Sequence, residues 1–215
     1  MVGLLGGRAR RAARPEPIAS RLLPGILDEE KLEALGTLNI LDFGRANSAS
    51  LELFNRYSCR LCVLDAADTL LEWSESIVTR EELPSLQQMQ LELERLLEGM
   101  GDYRYDLVFL WDTLNHLHAH ALPAFAGILR RHVTTGFRGH GFMLHKRGTE
   151  QELRHLGLAN EGLIKVLDQS PAKLHMHTRK AVNESLGAEL QINHGVLHGD
   201  GRLEFLMGSS GRTSG

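Results

Sequence analysis

The sequence has few cysteines, no net positive charge and no long apolar run, and each shortage excludes a class of protein. Its two cysteines, Cys59 and Cys62, cannot form the framework of a disulfide-stapled scaffold, and their C-x-x-C spacing enters a predicted strand, which disfavours a redox role. The formal net charge of -3 gives no global reason to expect nucleic acid as a partner. With no membrane-spanning run and no secretory hydrophobic segment, we expect a soluble protein of the reducing cytoplasm, without a membrane partner.

The overall composition is that of a globular protein. The chain has 215 residues, of which 42% are hydrophobic and 24% charged, enough for one domain with a substantial core. We expect this α/β domain to span residues 25–208. Residues 1–24 are rich in arginine and predict a flexible basic arm, and residues 209–215 predict a flexible tail.

One stretch, residues 37–68, organises the rest of the chain. It predicts a buried strand over 38–43, a turn of small residues that begins at Gly44, a helix, and a second buried strand over 61–64. The second strand ends in a carboxylate, Asp65. A strand that enters a helix through a tight turn and leads to a second strand is half of a doubly wound unit.

Such a turn can bind a nucleoside-containing ligand. Small residues let the backbone approach the ligand, and the first turn of the helix offers free N–H groups. Asp65 lies about 21 residues beyond Gly44, the separation at which a carboxylate can accept hydrogen bonds from ribose hydroxyls. The alternative is a packing turn in which Asp65 only caps the next helix.

These residues carry a resemblance to a known family. The segment 41–44, Leu-Asp-Phe-Gly, followed by Asp65 at the end of the second strand, resembles the first two motifs of the class I S-adenosylmethionine-dependent methyltransferases. That family has an apolar strand, an acidic residue and glycines at alternate positions. Gly44 keeps the first glycine, and Ala46 and Ser48 occupy the second and third glycine positions.

The resemblance implies S-adenosylmethionine as the cofactor and assigns a role to each residue of the motif. Asp42 would orient the loop and the amino group of the cofactor, and Gly44 would allow the backbone to approach it. Ala46 and Ser48 would border the methionine part of the cofactor, and Asp65 would bind its ribose.

A second motif supplies candidate catalytic residues. Residues 105–111 form a nearly continuous apolar run, which is typical of a fully buried parallel strand, and resemble the fourth strand of the same family. Asp112, Asn115 and His116 follow at its carboxyl end, where open parallel sheets bind ligands. They would face the acceptor, with His116 as a general base. The alternative is helix capping by Asp112 and ordinary solvation of His116.

The third parallel strand of such a sheet is missing or shortened. A helix is predicted from residue 66 to about residue 73, and the only candidate strand after it is the short segment 76–78. Residues 86–100 then form an amphipathic helix, with apolar side chains at spacings of three and four.

The second half of the chain is partly readable. Residues 150–156 predict a short helix, and residues 163–167 an extended or helical piece; under the resemblance, this region would be an insertion for substrate recognition. Residues 189–197 and 202–207 predict two strands joined by a turn over 198–201. Under the resemblance, this hairpin would supply the antiparallel strand at the end of the sheet.

Eleven histidines raise the question of a metal. On a helix, His116 and His120 share a face but His118 does not, and no glutamate stands between them in the H-E-x-x-H manner. His175 and His177 form a second alternating pair. Because no acidic ligand lies at motif spacing, we expect no metal.

These observations predict a three-layer α/β sandwich whose mostly parallel, doubly wound sheet ends in an antiparallel hairpin strand and has a missing or shortened third strand. The function that the resemblance implies is methyl transfer from S-adenosylmethionine to a small-molecule acceptor. The alternative is a non-catalytic scaffold or binding module that has lost the cofactor and binds a protein partner. A nicotinamide-dependent dehydrogenase is a third interpretation, disfavoured because G-x-G-x-x-G is absent.

Overall fold

The computed structural model describes residues 15–34 and 36–209. In its first half the elements are β1 Ile18–Ala19, α1 Leu23–Ile26, α2 Glu29–Glu33, β2 Leu38–Asp42, α3 Ser48–Phe54, β3 Cys59–Val63, α4 Ala67–Val78, α5 Leu86–Leu96 and a 3₁₀ turn Glu98–Met100. In its second half they are β4 Tyr105–Trp111, α6 Thr113–His116, α7 Leu122–Arg131, β5 Val133–Leu144, β6 Glu152–Asn160, β7 Leu163–Pro171, α8 Arg179–Leu186, a 3₁₀ turn Ala188–Leu190, β8 Gln191–Leu197 and β9 Arg202–Gly208.

The main sheet has six strands in the order β3-β2-β4-β5-β9-β8. The first four run parallel, β9 is antiparallel to β5, and β8 is antiparallel to β9. The predicted fold is therefore confirmed, including the C-terminal hairpin. The strands β2 and β4 lie in the centre and are buried along almost their whole length, as their apolar runs require.

Alternate residues of the central strands face two different cores. Val108 and Leu110 of β4 pack with apolar residues of α4, α5, α7 and α8 on one face of the sheet. Leu107 and Phe109 pack on the other face with α1, α2, α3 and the hairpin formed by β6 and β7. Because successive side chains of a strand point to opposite faces, this alternation produces the three layers.

The third strand of the parallel half is absent from the described residues, as predicted. The segment 76–78, the one candidate for it, is the last turn of α4. Leu70, Trp73 and Ile77 are buried at helical spacing, so the helix continues to Val78 because its apolar stripe does. The strand β3 consequently forms an edge of the sheet.

The helix predicted over residues 150–156 is wrong. This segment lies mostly in β6, which pairs antiparallel with β7 in a hairpin, and the residues 153–158 are all buried. The hairpin turn closes where Gly162 N donates to Asn160 Oδ1 at 2.9 Å. Pairing with a strand that lies later in the chain, and burial of both faces, overrode the local helical pattern.

The N-terminal segment meets this hairpin. Ile18 and Ala19 pair antiparallel with Ile164 and Leu163 of β7, and Ser20 N donates to Gly162 O at 2.9 Å. Of the basic arm predicted for residues 1–24, the first fourteen residues lie outside the described ones, and the chain is already paired at Ile18. The predicted tail also lies outside them, except for Ser209.

Within residues 15–34 and 36–209, every helix is too short or too polar to cross a membrane.

Candidate functional site

The strands β2, β3 and β4 are parallel neighbours, so the residues that follow them meet at one edge of the sheet. Gly44, Asp65 and Asp112 lie there, as the sequence predicts, and we call this place the crevice. Asp65 and Trp111 have φ angles of 44° and 49° and are the two non-glycine residues with positive φ among those described. Such angles are unfavourable for non-glycine residues and cluster at specialised sites.

Asp42 is the last residue of β2 and binds the turn that follows it. Its side chain is fully buried, and its Oδ1 accepts hydrogen bonds from Gly44 N at 2.7 Å and from the indole Nε1 of Trp111 at 2.5 Å. Burial raises the pKa of Asp42 to about 7, because these two hydrogen bonds only partly offset the loss of solvent. Asp42 thus orients the turn through its hydrogen bond with Gly44, and the indole of Trp111 binds the same carboxylate oxygen.

The turn itself is ordered by Asn47. Its side-chain oxygen accepts from Ser50 N at 3.1 Å and so caps the first turn of α3. Ala46 and Ser48, at the second and third glycine positions of the motif, are both exposed. Gly44, by contrast, is buried.

The β6 strand lies directly on this turn. Arg45 N donates to the carbonyl oxygen of Leu156 at 3.0 Å. A Cβ atom at Gly44 would lie 2.3 Å from that same oxygen and 2.4 Å from Trp111 Nε1. Across the contact, a Cβ atom at Gly157 would lie 2.3 Å from Asn47 Nδ2 and 3.0 Å from Arg45 O. The absence of a side chain at these two glycines thus allows the backbone of β6 to lie directly against the turn.

Asp65 is held by neighbours from both sides. Arg45 Nε donates to Asp65 Oδ2 at 2.8 Å, and His155 Nδ1 lies 3.3 Å from Asp65 Oδ1. The other ring nitrogen of His155 lies 3.3 Å from Asp68 Oδ2. The carboxylate that would bind ribose is therefore already hydrogen bonded, although its side chain is 41% exposed.

Asp112 forms a buried ion pair with a residue of β6. Arg154 donates from Nε to Asp112 Oδ2 at 2.6 Å and from Nη2 to Oδ1 at 2.8 Å. Burial alone would raise the pKa of Asp112, but the charge and hydrogen bonds of Arg154 outweigh burial and lower it. Asp112 is thus an ionised partner of the hairpin.

Asn115 and His116 differ sharply in their contacts. Asn115 Oδ1 accepts from Leu144 N at 2.9 Å, and its Nδ2 donates to His175 O at 2.6 Å, so it joins two backbone segments. His116 is 2% exposed, and neither of its ring nitrogens has a hydrogen-bond partner. Burial lowers the pKa of His116 to about 4, which leaves the imidazole neutral at neutral pH.

Three residues of the site were missed by sequence reasoning. Trp111 was predicted only as part of a strand, and Arg154 and His155 fall in the segment predicted as a helix. One signal was present: these two adjacent basic residues lie among apolar ones, Leu153 and Leu156, where an unpaired charge would be costly. Their partners, Asp112 and Asp65, lie far away in the sequence.

Three of the histidines lie close together. The ring centroid of His118 lies 5.0 Å from that of His120 and 5.1 Å from that of His175. Over the part of the chain that the structure describes, no group of three or more His, Cys, Asp or Glu side chains is arranged to hold a metal ion.

No protein-family model matches the sequence, and a search of curated proteins finds no match. Solved structures do match by fold. An S-adenosylmethionine-dependent methyltransferase from Clostridium acetobutylicum ATCC 824 is 11% identical, with 90% of this chain and 93% of that chain covered and a TM-score of 0.50. The 1,6-didemethyltoxoflavin-N1-methyltransferase of Burkholderia thailandensis, solved with bound 1,6-didemethyltoxoflavin and S-adenosylhomocysteine, is 15% identical, with 88% of this chain and 77% of that chain covered and a TM-score of 0.46.

The chain therefore has the fold of the class I S-adenosylmethionine-dependent methyltransferases, as its motifs predict. Among the matching structures, the glycopeptide N-methyltransferase MtfA was solved in complex with S-adenosylmethionine. In this chain the place beside Gly44 is filled by the Leu156 carbonyl and the Trp111 indole. The space next to the Gly44 Cα atom is therefore already occupied by these two groups.

Proposed function

We propose that this chain is a non-catalytic binding module built on the methyltransferase fold, in which β6 takes the place of the cofactor. One observation carries the proposal: the backbone of Leu156 lies on the turn after β2, with its oxygen 3.0 Å from Arg45 N. In this position β6 accepts the backbone hydrogen bond that a ligand at the turn would otherwise accept.

The hairpin is packed as part of the core. Leu156, Leu158, Ile164 and Val166 are buried in one cluster with Phe109 of β4. Exposing four such side chains would cost about 1.5–3 kcal/mol each, and opening would also separate the buried Arg154–Asp112 pair. A movable lid would be expected to bury far less, so this packing supports a permanent filling of the crevice.

The ion pairs of the crevice also support a permanent position for the hairpin. Asp65 is paired with Arg45 and His155, and Asp112 with Arg154, so two carboxylates of the crevice are neutralised from within the chain. The module would then contribute a rigid surface to a partner. With a net charge of -3, that partner is better sought among proteins and small molecules than among nucleic acids.

A second candidate is methyl transfer from S-adenosylmethionine to a small-molecule acceptor. The observation that favours it is the fold, which matches the Clostridium enzyme over 90% of this chain. Asp42, Gly44 and Asp65, with Ala46 and Ser48 beside them, would hold the cofactor, which supplies an activated methyl group. Asp112, Asn115 and neutral His116 would face the acceptor. This function requires the hairpin to leave the crevice.

Isothermal titration calorimetry with S-adenosylmethionine and S-adenosylhomocysteine separates the two candidates. The binding module should give no heat of binding at millimolar concentrations of either compound. Saturable binding that an Asp65→Ala variant weakens about tenfold, by loss of charge-assisted hydrogen bonds, would instead establish the crevice as a cofactor site and overturn the proposal. A variant at the remote Glu98, Glu98→Gln, serves as the matched carboxylate control.

Amide hydrogen exchange tests directly whether β6 stays in the crevice. If β6 belongs to the permanent core, the amides of Leu156 and Leu158 should exchange as slowly as those of Val108 and Phe109 in the central strand β4. Exchange of the β6 amides several orders of magnitude faster than those of β4 would mean that the hairpin opens, which would contradict the proposal.

A further inference from the structure

The strand β3 forms one edge of the main sheet, and part of its backbone faces outward. Leu38 N donates to Ser58 O, and Leu64 N donates to Asp42 O, each at 2.9 Å. The even-numbered residues of β3 therefore bond to β2. Because backbone groups alternate in direction along a strand, those of the odd-numbered residues point away from β2. These residues are Cys59, Leu61 and Val63.

Among the residues described, no other strand or backbone group of the chain pairs with this outward side. The other two long edge strands are capped. At β8, Ile192 N donates to Asn183 Oδ1 at 2.9 Å, and the register of the strand shifts next to it. At β6, the carbonyl oxygen of Leu156 accepts from Arg45 N at 3.0 Å. The strand β3, by contrast, keeps a regular register with β2 and leaves its outward N–H and C=O groups open.

The side chains of β3 do little to protect this edge. Edge strands are usually guarded by lysine, proline or a bulge, whereas β3 has the sequence Cys-Arg-Leu-Cys-Val. Its residues are all partly or fully exposed, unlike those of the largely buried strands β2 and β4. Its one charged residue, Arg60, lies over the ring of Tyr103, with 4.1 Å between the guanidinium carbon and the ring centroid. An apolar, regular edge of this kind is a template for another extended strand.

The backbone of this edge is complementary to itself. In an antiparallel pair about a two-fold axis at Leu61, this residue would exchange both of its outward hydrogen bonds with Leu61 of a second copy. Cys59 would do the same with Val63 of the second copy, and Val63 with its Cys59. Every outward N–H and C=O group of β3 would then be bonded.

The side chains fit the same register. On one face of the joined sheet, Leu61 would lie against Leu61 of the second copy, and Cys59 against its Val63. On the other face, Arg60 would lie opposite Cys62 of the second copy, so the one charge of the strand would not directly face a like charge. Any extended chain can bond to the backbone groups, but these apolar pairs select a second copy of β3.

We propose that the chain forms a two-fold dimer through β3, in which the main sheets of two copies join into one continuous sheet. The open side of β3 points away from β2 and from the turn at Gly44, so this dimer does not depend on whether the crevice binds S-adenosylmethionine. A pair of five-residue strands is a small interface, so we expect a weak dimer with a dissociation constant of about 100 µM or tighter.

Sedimentation velocity of the full chain, from about 5 to 500 µM, tests the proposal. The unmodified protein should change from monomer to dimer over this range. Leu61→Lys and Leu61→Glu should each stay monomeric, because like charges would face each other across the axis. An equimolar mixture of the two variants should dimerise again, because position 61 faces itself and lysine then meets glutamate.

The control for these variants is Leu197→Lys, which changes a leucine that is 51% exposed on β8, at the opposite edge of the sheet. It should dimerise like the unmodified protein. A monomeric unmodified protein at all concentrations would overturn the proposal. So would a mixture of folded Leu61→Lys and Leu61→Glu proteins that remains monomeric.

Disulfide cross-linking tests the register, even if the variants at Leu61 fail to fold. In Val63→Cys protein, the new thiol would lie opposite Cys59 of the second copy, with Cα atoms about 5.5 Å apart, a separation that suits a disulfide. Mild oxidation should give a covalent dimer linked between positions 59 and 63, as located by peptide mass spectrometry. The unmodified protein should give none, because its cysteines would lie opposite Val63 and Arg60.

Leu197→Cys serves as the exposed-thiol control and should also give no covalent dimer. If oxidised Val63→Cys protein stayed monomeric, or if the unmodified protein cross-linked to the same extent, the pairing of β3 with itself in this register would be refuted.

Discussion

Arg154 and Asp112 form a two-pronged ion pair, with nitrogen to oxygen distances of 2.6 and 2.8 Å, that ties β6 to the end of β4. Both side chains are almost completely buried, at 5% and 3% exposed. They are 42 positions apart in the sequence. This one contact places a basic residue of the hairpin over the carboxyl end of the central strand.

The ion pair predicts a strongly non-additive mutant cycle. Arg154→Met or Asp112→Asn alone should lower the free energy of unfolding by about 3–5 kcal/mol, because each leaves the other charge buried and unpaired. The double variant should lose much less than the sum of the two. Urea denaturation measures all four proteins.

The exposed pair of Arg131 and Glu94 provides the control for that cycle. Its coupling energy should stay below about 1 kcal/mol, because solvent screens it. Additive losses at Arg154 and Asp112 would show that the two residues act independently and that the pair does not hold the hairpin.

Gly44→Ala should destabilise the protein. The new Cβ atom would lie 2.3 Å from the Leu156 oxygen and must displace the β6 backbone, at a cost of about 1–3 kcal/mol. Gly136→Ala is the matched control, because no atom lies within 4 Å of the Cβ position there, and it should change stability by less than about 0.5 kcal/mol. Thermal unfolding of both variants makes the comparison; equal stabilities would mean that β6 does not press on the turn.

Asp42→Asn should change how stability depends on pH. The pKa of Asp42 is raised to about 7 from a model-compound value of 3.8, so folding favours its protonated form, and stability falls as the pH rises from about 4 to 7. This difference corresponds to roughly 4 kcal/mol at most. Asparagine keeps the oxygen that accepts from Trp111 and Gly44 but cannot ionise.

The Asp42→Asn variant should therefore become increasingly more stable than the unmodified protein as the pH rises from about 4 to 7. It should keep this advantage at higher pH. Denaturation at a series of pH values measures the difference between the two curves. Curves that run parallel would mean that Asp42 does not change its proton affinity on folding.

His116→Leu should remove an acid-sensitive element. The pKa of His116 is lowered from 6.5 to about 4, so the unfolded chain binds a proton that the folded chain excludes, and stability is lost as the pH falls from 6.5 to 4. Leucine should weaken this loss. It should also be neutral or stabilising at neutral pH, because both ring nitrogens of His116 are unpartnered.

His177→Leu is the contrasting variant. His177 is also buried, but its Nε2 lies 2.8 Å from the carbonyl oxygen of Leu117 and donates to it. Its replacement should therefore destabilise the protein by about 1–3 kcal/mol at neutral pH. If His116→Leu destabilised as much as His177→Leu, the imidazole of His116 would have a stabilising contact in solution that its burial does not reveal.

Much of the fold was predictable from local patterns. The apolar runs of β2 and β4 predicted central buried strands, and the turn over residues 198–201 between two strand patterns predicted the C-terminal hairpin. The absence of a full third parallel strand was also predictable, because the apolar residues of the segment 66–97 recur at helical spacing almost throughout. Strand burial, helical periodicity and turn residues act over a few positions, so the sequence determines them directly.

The contact between β6 and the turn after β2 was decided only by the tertiary structure. A local helical pattern predicted a helix over residues 150–156, whereas pairing with β7 and packing on Phe109 make this segment the strand β6. The positions of Arg154 and His155 opposite Asp112 and Asp65 follow from that pairing. Register between distant strands, burial and the pairing of charges far apart in the chain depend on the folded arrangement, and local patterns do not encode them.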